Sequence, residues 1–140
     1  MSRRAFTLLE LTVVLTIAGL LIALAVPRFA VLRDSASVRA ATGELGAMFS
    51  AARQEAIARR APVAVRVDAA AGVVELRAGR VSLARRTLAA TYGVTLTSTR
   101  DSTVYDPRGI GFGLSNLTVT VRRGEMVDSL TMSRLGRVRW

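Results

Sequence analysis

The sequence predicts an α+β protein: a long N-terminal helix, membrane-spanning in its first half and amphipathic in its second, packed on a small antiparallel β-sheet domain. Three observations carry this reading. Residues 6–26, FTLLELTVVLTIAGLLIALAV, form an apolar run with one charge, Glu10. Apolar residues then recur at three- and four-residue steps from Val38 to Ala56, the spacing that lines one face of a helix. After Pro62 the period drops to two, as in strands with one buried face.

As a helix, Phe6 to Val26 would extend roughly 31 Å, close to the hydrocarbon thickness of a bilayer. Arg3 and Arg4 precede it, which places the N-terminus in the cytoplasm and the rest of the chain outside it. A secretory signal peptide cut after Ala23-Leu24-Ala25, an uncleaved anchor, and a very short leader ahead of Phe6 all accommodate this run. Glu10 asks for more. A carboxylate inside a bilayer costs a few kcal/mol and calls for a partner. Snorkelling from one helical turn inside the membrane face would explain why the charge is tolerated, but not its position.

Pro27 has no N–H and predicts a kink or local loosening near Val26 and Arg28. Beyond it, Val38, Ala41, Leu45, Met48, Ala52 and Ala56 form an apolar stripe flanked by Arg39, Glu44, Arg53 and Glu55. The stripe is expected to pack on the protein's own sheet. Gly43 and Gly46 weaken this helix slightly and allow close backbone approach. The helix should end near Arg60, because Pro62 forces Ala61 into extended geometry. Val63, Val65 and Val67 alternate with polar or small residues, and Ala71-Gly72 turns the chain into Val74–Ala78. Arg80–Leu88 and Val94–Thr97 are further strands. Leu117–Val121 shows the clearest alternation, and Arg123-Gly124-Glu125 makes a hairpin turn towards Ser129–Ser133.

Composition excludes much chemistry. The 140 residues contain no cysteine, no histidine and no lysine, and all 20 basic residues are arginine. Disulfides, Ser-His-Asp and Cys-His sites, Schiff-base lysines and His- or Cys-bound zinc are therefore impossible. The ten carboxylates show no metal-loop spacing. Gly109-Ile110-Gly111-Phe112-Gly113 lacks the third glycine of a dinucleotide fingerprint and reads as a turn. No catalytic residue, metal or cofactor is expected, and the chain reads as a non-enzyme. Its net charge of +10 fits either an anionic partner or a bias of arginine for lysine spread over a solvated surface.

Met-Ser-Arg-Arg-Ala followed by Phe6-Thr7-Leu8-Leu9-Glu10-Leu11 resembles the class III leader of type IV pilins and type II secretion pseudopilins. In that family a prepilin peptidase cuts on the cytoplasmic side just before a phenylalanine and N-methylates the new terminus. Glutamate stands four residues further on. Carried over by position, the resemblance implies cleavage between Ala5 and Phe6, methylation of Phe6, and an assembly role for Glu10. The new amine of Phe6 would supply the positive charge that Glu10 needs, since the family's glutamate acts on the terminal amine of a neighbouring subunit. One departure is Ala5, where the family has glycine before the cut.

The C-terminal half narrows the resemblance. Tyr105-Asp106-Pro107-Arg108-Gly109, a Thr/Val strand, a hairpin and the closing Gly136-Arg137-Val138-Arg139 are similar to the GspH/FimT-type domain of H-type minor pseudopilins and certain minor fimbrial pilins. The implied organisation is a leader at 1–5, a transmembrane and assembly helix at 6–27, an amphipathic stem at 28–61 and a β-rich globular domain at 62–140. The implied partners are other pseudopilins or pilins, prepilin peptidase, the inner-membrane assembly platform and the inner membrane, with the globular domain in the periplasm. Two roles follow from the resemblance. One is an H-type subunit of a type II secretion pseudopilus. The other is a minor pilin that binds DNA through Arg137 and Arg139 for uptake, with Trp140 either stacking on a base or covering an apolar edge.

Overall fold

The computed structural model describes residues 7–112, 116–133 and 135–139. The chain divides into two compact units, Met1–Arg33 and Asp34–Trp140. One helix, α1 (Leu8–Arg59, 52 residues), contributes to both. It continues across Pro27, so the loosening expected there does not end it.

In the first unit the large apolar side chains of α1 are exposed among the described residues. Leu8 is 82% exposed, Leu15 63% and Leu24 66%. α1 is long and apolar enough to cross a membrane, with a mean hydropathy of 2.5 over its most apolar window. Two hydroxyls inside this run bond to the helix's own carbonyls: Thr12 Oγ1 donates to Leu9 O (2.8 Å) and Thr16 Oγ1 to Thr12 O (2.7 Å). A threonine can thus lie in hydrocarbon without an orphaned polar group.

In the second unit, all six residues of the expected stripe are buried, joined by Phe49 and Thr42. Thr42 Oγ1 donates to Val38 O at 2.9 Å, which satisfies the one buried polar side chain on this face. Alanines at 41, 52 and 56 have no exposed surface, and Leu45 and Phe49 fill the space between them.

α1 ends in a Schellman motif. Arg60 N–H donates to Ile57 O and Ala61 N–H to Ala56 O, both at 3.3 Å, and Arg60 takes φ 50°. Arginine therefore occupies the left-handed position where glycine is usual, and Pro62 follows to prevent continuation.

The β elements are β1 (Val63–Asp68), β2 (Val73–Ala78), β3 (Val81–Thr87), β4 (Thr95–Ser98), β5 (Ser102–Tyr105), β6 (Gly111–Phe112), β7 (Leu117–Arg123), β8 (Met126–Met132) and β9 (Val138–Arg139). A short helix, α2 (Leu88–Tyr92), stands between β3 and β4. Where the sequence suggested one sheet, there are two antiparallel ones, ordered β3-β2-β1-β5-β6 and β4-β7-β8-β9. The chain visits them alternately, and residues from both join α1 in one hydrophobic cluster: Val65 and Leu76 from one sheet, Val119 and Leu130 from the other. Gly111–Phe112, read from sequence as part of a turn, instead pairs with β5 as an edge strand.

Arg123 ties three segments together. Its Nε donates to Asp34 Oδ1 at 2.7 Å, and its Nη1 donates to Ser37 Oγ at 3.0 Å and to the carbonyl of Tyr92. Glycine makes room for it. Gly93 caps α2 at φ 64°, and a Cβ there would stand 3.0 Å from Arg123 Nη1. Gly124 (φ 56°) begins the β7–β8 turn, and a Cβ there would meet Asp34 Oδ2 at 2.8 Å.

Two substitutions, one in α1 and one at the residue that ends it, should move stability in opposite directions. Phe49→Ala removes a fully buried ring and is expected to cost about 3–5 kcal/mol. Arg60→Gly relieves the left-handed arginine and should add up to about 1 kcal/mol. Urea unfolding of the full chain in detergent checks both signs.

Candidate assembly site and C-terminal groove

The assembly residues expected from sequence lie around the start of α1. Thr7 caps it: its Oγ1 accepts the Glu10 N–H at 3.2 Å, while its carbonyl accepts the Leu11 N–H at 3.1 Å. Glu10 is exposed in the first turn, where the helix dipole favours a carboxylate. Ala5 and Phe6 lie outside the described residues.

At the other end of the sequence, the structure brings the two subfamily motifs together. Asp106 organises the first. Its Oδ1 accepts N–H groups from Arg108 and Ile110, each at 2.9 Å, while its own N–H donates to Ile110 O and its carbonyl accepts from Gly109. Gly109 adopts φ 76° beneath α1, and a Cβ there would stand 2.8 Å from Ile57 Cδ1 and 3.0 Å from Arg53 Nε. The second motif forms a tight turn closed by Ser133 N–H to Arg137 O (2.8 Å) and Gly136 N–H to Ser133 O (2.9 Å). Gly136 packs on the first turn so closely that a Cβ would lie 2.6 Å from Gly109 O and 3.1 Å from Tyr105 Cε1. Both motifs thus have a fold-building reason for their glycines.

Between them and α1 runs a groove of about 590 Å³. Its lining includes Arg53 and Gln54 from α1, Tyr105 from β5, Arg137 from the closing turn, and the apolar Ile57 and Val138. Tyr105 is fully buried, and its hydroxyl has no hydrogen-bond partner among the described residues. Burial pushes the phenol up to about 12, against the opposing pull of the Arg53 guanidinium.

Of the two arginines singled out in the sequence, Arg137 lines this groove. Arg139 sits on edge strand β9 opposite Thr131. Both are exposed. Arg123, which the sequence presents as another member of the basic C-terminal stretch, is committed to Asp34. Arg134 and Trp140 lie outside the described residues. Sequence reasoning missed the groove and Arg53's place in it; Tyr105 within the Asp-Pro turn was the available signal. Among the described residues no group of three or more carboxylates could hold a metal ion.

A long helix with an uncovered apolar N-terminal surface and a C-terminal half embedded in a two-sheet β domain defines the class of pilin-like filament subunits. The chain belongs to the family described as type II transport protein GspH, which matches residues 41–136, and the prokaryotic N-terminal methylation motif matches residues 1–26. No curated protein matches the sequence. The structure is similar to that of the type IV minor pilin FimU of Pseudomonas aeruginosa, with TM-score 0.62 and 17% identity over 73% of this chain and 86% of that one. It is also similar to the minor pseudopilin EpsH of the Type 2 Secretion System of Vibrio cholerae, with TM-score 0.59 and 14% identity over 74% of this chain and 94% of that one. The protein is therefore a pseudopilin or pilin: a structural subunit, not an enzyme, of a kind that assembles with other pilins and is processed by prepilin peptidase.

The raised phenol gives a pH test. An unfolded tyrosine ionises near pH 10, so the contribution of Tyr105 is complete below about pH 10 and is lost as pH rises towards 12. Stability of the full chain in detergent should fall by about 2–3 kcal/mol more than that of Tyr105→Phe across this window. Parallel declines in urea titrations would show that the phenol is not the group responsible.

Proposed function

We propose that the protein is an H-type minor pseudopilin of a type II secretion pseudopilus. Prepilin peptidase cuts between Ala5 and Phe6 and methylates Phe6. The N-terminus begins on the cytoplasmic side, and the globular domain lies in the periplasm. During assembly the stem leaves the bilayer and packs against neighbouring stems. Glu10 then pairs with the Phe6 amine of an adjacent subunit, which neutralises a carboxylate that lipid would otherwise penalise. The observation that carries this reading is the apolar surface of α1 ahead of the globular unit, uncovered by its own chain and bearing Glu10 as its sole charge before Arg28. The GspH match and the likeness to EpsH support the secretion assignment.

A second reading has two observations in its favour: the likeness to the type IV minor pilin FimU, and the exposure of both Arg137 and Arg139 near the edge of the four-stranded sheet. In a minor pilin serving DNA uptake they would contact phosphates, with binding that weakens steeply with salt. A gel shift at low salt separates the two. Loss of a shift on Arg137→Ala/Arg139→Ala supports the DNA role, and its absence in the unmodified protein removes it.

For the assembly role, Glu10→Ala should insert in the membrane normally but enter sheared filaments at least about tenfold less than the unmodified chain. Immunoblots of membrane and filament fractions measure both quantities. Unchanged incorporation would remove Glu10 from assembly.

A further inference from the structure

The groove beside Tyr105 carries hydrogen-bond donors that the described residues leave unused. Arg53 and Arg137 line it from opposite elements, and among the described residues neither guanidinium takes part in an ion pair. No aspartate or glutamate lines it. Asp106 is next to Tyr105 in sequence, but its Oδ1 already accepts two backbone N–H groups within its own turn. The same lining includes the buried phenol of Tyr105, whose O–H finds no acceptor among the described residues. A buried hydroxyl left without a partner costs about 1–3 kcal/mol, so the site has a standing deficit of one acceptor. The donors are also held in place: Arg53 packs over Gly109, and the turn that carries Arg137 is clamped to Gly109 through Gly136.

The walls narrow the choice of acceptor. Ile57 is 47% exposed and Val138 half-buried, giving apolar surface on both sides of the arginines. A volume of about 590 Å³ accommodates several side chains of an incoming segment. A phosphate on a stiff DNA duplex cannot descend to a recessed hydroxyl, and a bare inorganic anion would leave the apolar walls wet. A carboxylate on a flexible, partly apolar chain satisfies both.

We propose that this groove is a docking site for an acidic peptide segment of a partner protein, a glutamate or aspartate flanked by apolar residues. Its carboxylate bridges Arg53 and Arg137 and accepts the Tyr105 O–H, while its neighbours cover Ile57 and Val138. The site goes beyond the assembly role of α1 and operates equally in a secretion or a pilus subunit, so it stands whether or not Glu10 acts as proposed.

The test uses the full chain in detergent micelles and a fluorescein-labelled Leu-Glu-Leu-Glu-Leu peptide, read by fluorescence anisotropy. The same peptide with both glutamates replaced by glutamine should bind at least about tenfold more weakly, as expected for loss of a charge-assisted contact. Arg53→Gln and Arg137→Gln should each weaken the acidic peptide about fivefold or more, and Tyr105→Phe about threefold with the thermal melt unlowered. Arg100→Gln, an exposed arginine outside the groove, should leave affinity unchanged. Equal binding of the two peptides, equal loss with Arg100→Gln, or competition by single-stranded DNA or inorganic phosphate but not by unlabelled acidic peptide would each overturn the proposal.

Discussion

The buried face of α1 from Val38 to Ala56 is the constraint on which the rest of the molecule depends. Both sheets need an apolar partner, and this single stripe serves them at once. Small residues at 41, 52 and 56 allow close approach, while Leu45 and Phe49 supply volume where the sheets leave space. Toward the N-terminus the same helix changes character: the apolar surface becomes continuous around its circumference, and its large apolar side chains are exposed among the described residues. One helix thus presents a one-sided pattern suited to water and an all-round pattern suited to lipid or other stems. The boundary between the two compact units, at Arg33 and Asp34, falls close to this change.

Polar groups fix the geometry that the apolar stripe leaves free. Arg123 joins Asp34 and Ser37 of α1 to the carbonyl that ends α2, so one guanidinium orients the hairpin, the short helix and the stem. With both partners partly buried and three acceptors engaged, this is a stronger constraint than an ordinary surface pair. Gly93 and Gly124 provide the clearance for it. Arg53, Arg137 and Arg139, by contrast, are exposed.

The parts of the fold legible in the sequence were those governed by local periodicity. All six residues read as the helical stripe are buried, although Thr42 and Phe49 beside them were not anticipated, and the end of α1 was placed within a residue because Pro62 dictates it. The alternating runs at Val63–Val67 and Leu117–Val121 became β1 and β7. What periodicity cannot encode is which strands pair. Division into two sheets depends on β5 returning to pair with β1 after β4 has joined the other sheet, a non-local choice invisible in any window. α2 went unread, with only Leu88 included at the end of the Arg80–Leu88 strand, because Leu88–Tyr92 is too short for a helical period. Likewise, Arg123 reads as one more basic residue until the hairpin brings it to Asp34, 89 positions away. The groove joins residues 53, 105 and 137; Tyr105 and Arg137 stood out beforehand within separate motifs, but their meeting with Arg53 did not.

Glu10 binds the proposed account together, because pairing with a newly created Phe6 amine would explain its position in an apolar stem, which snorkelling does not. The most direct measurement is the mass of the mature protein's N-terminal peptide after co-expression with a prepilin peptidase. N-methylated Phe6 as the first residue is the predicted result. A mature chain that begins at Val26, or one that retains Met1 through Ala5, would contradict it.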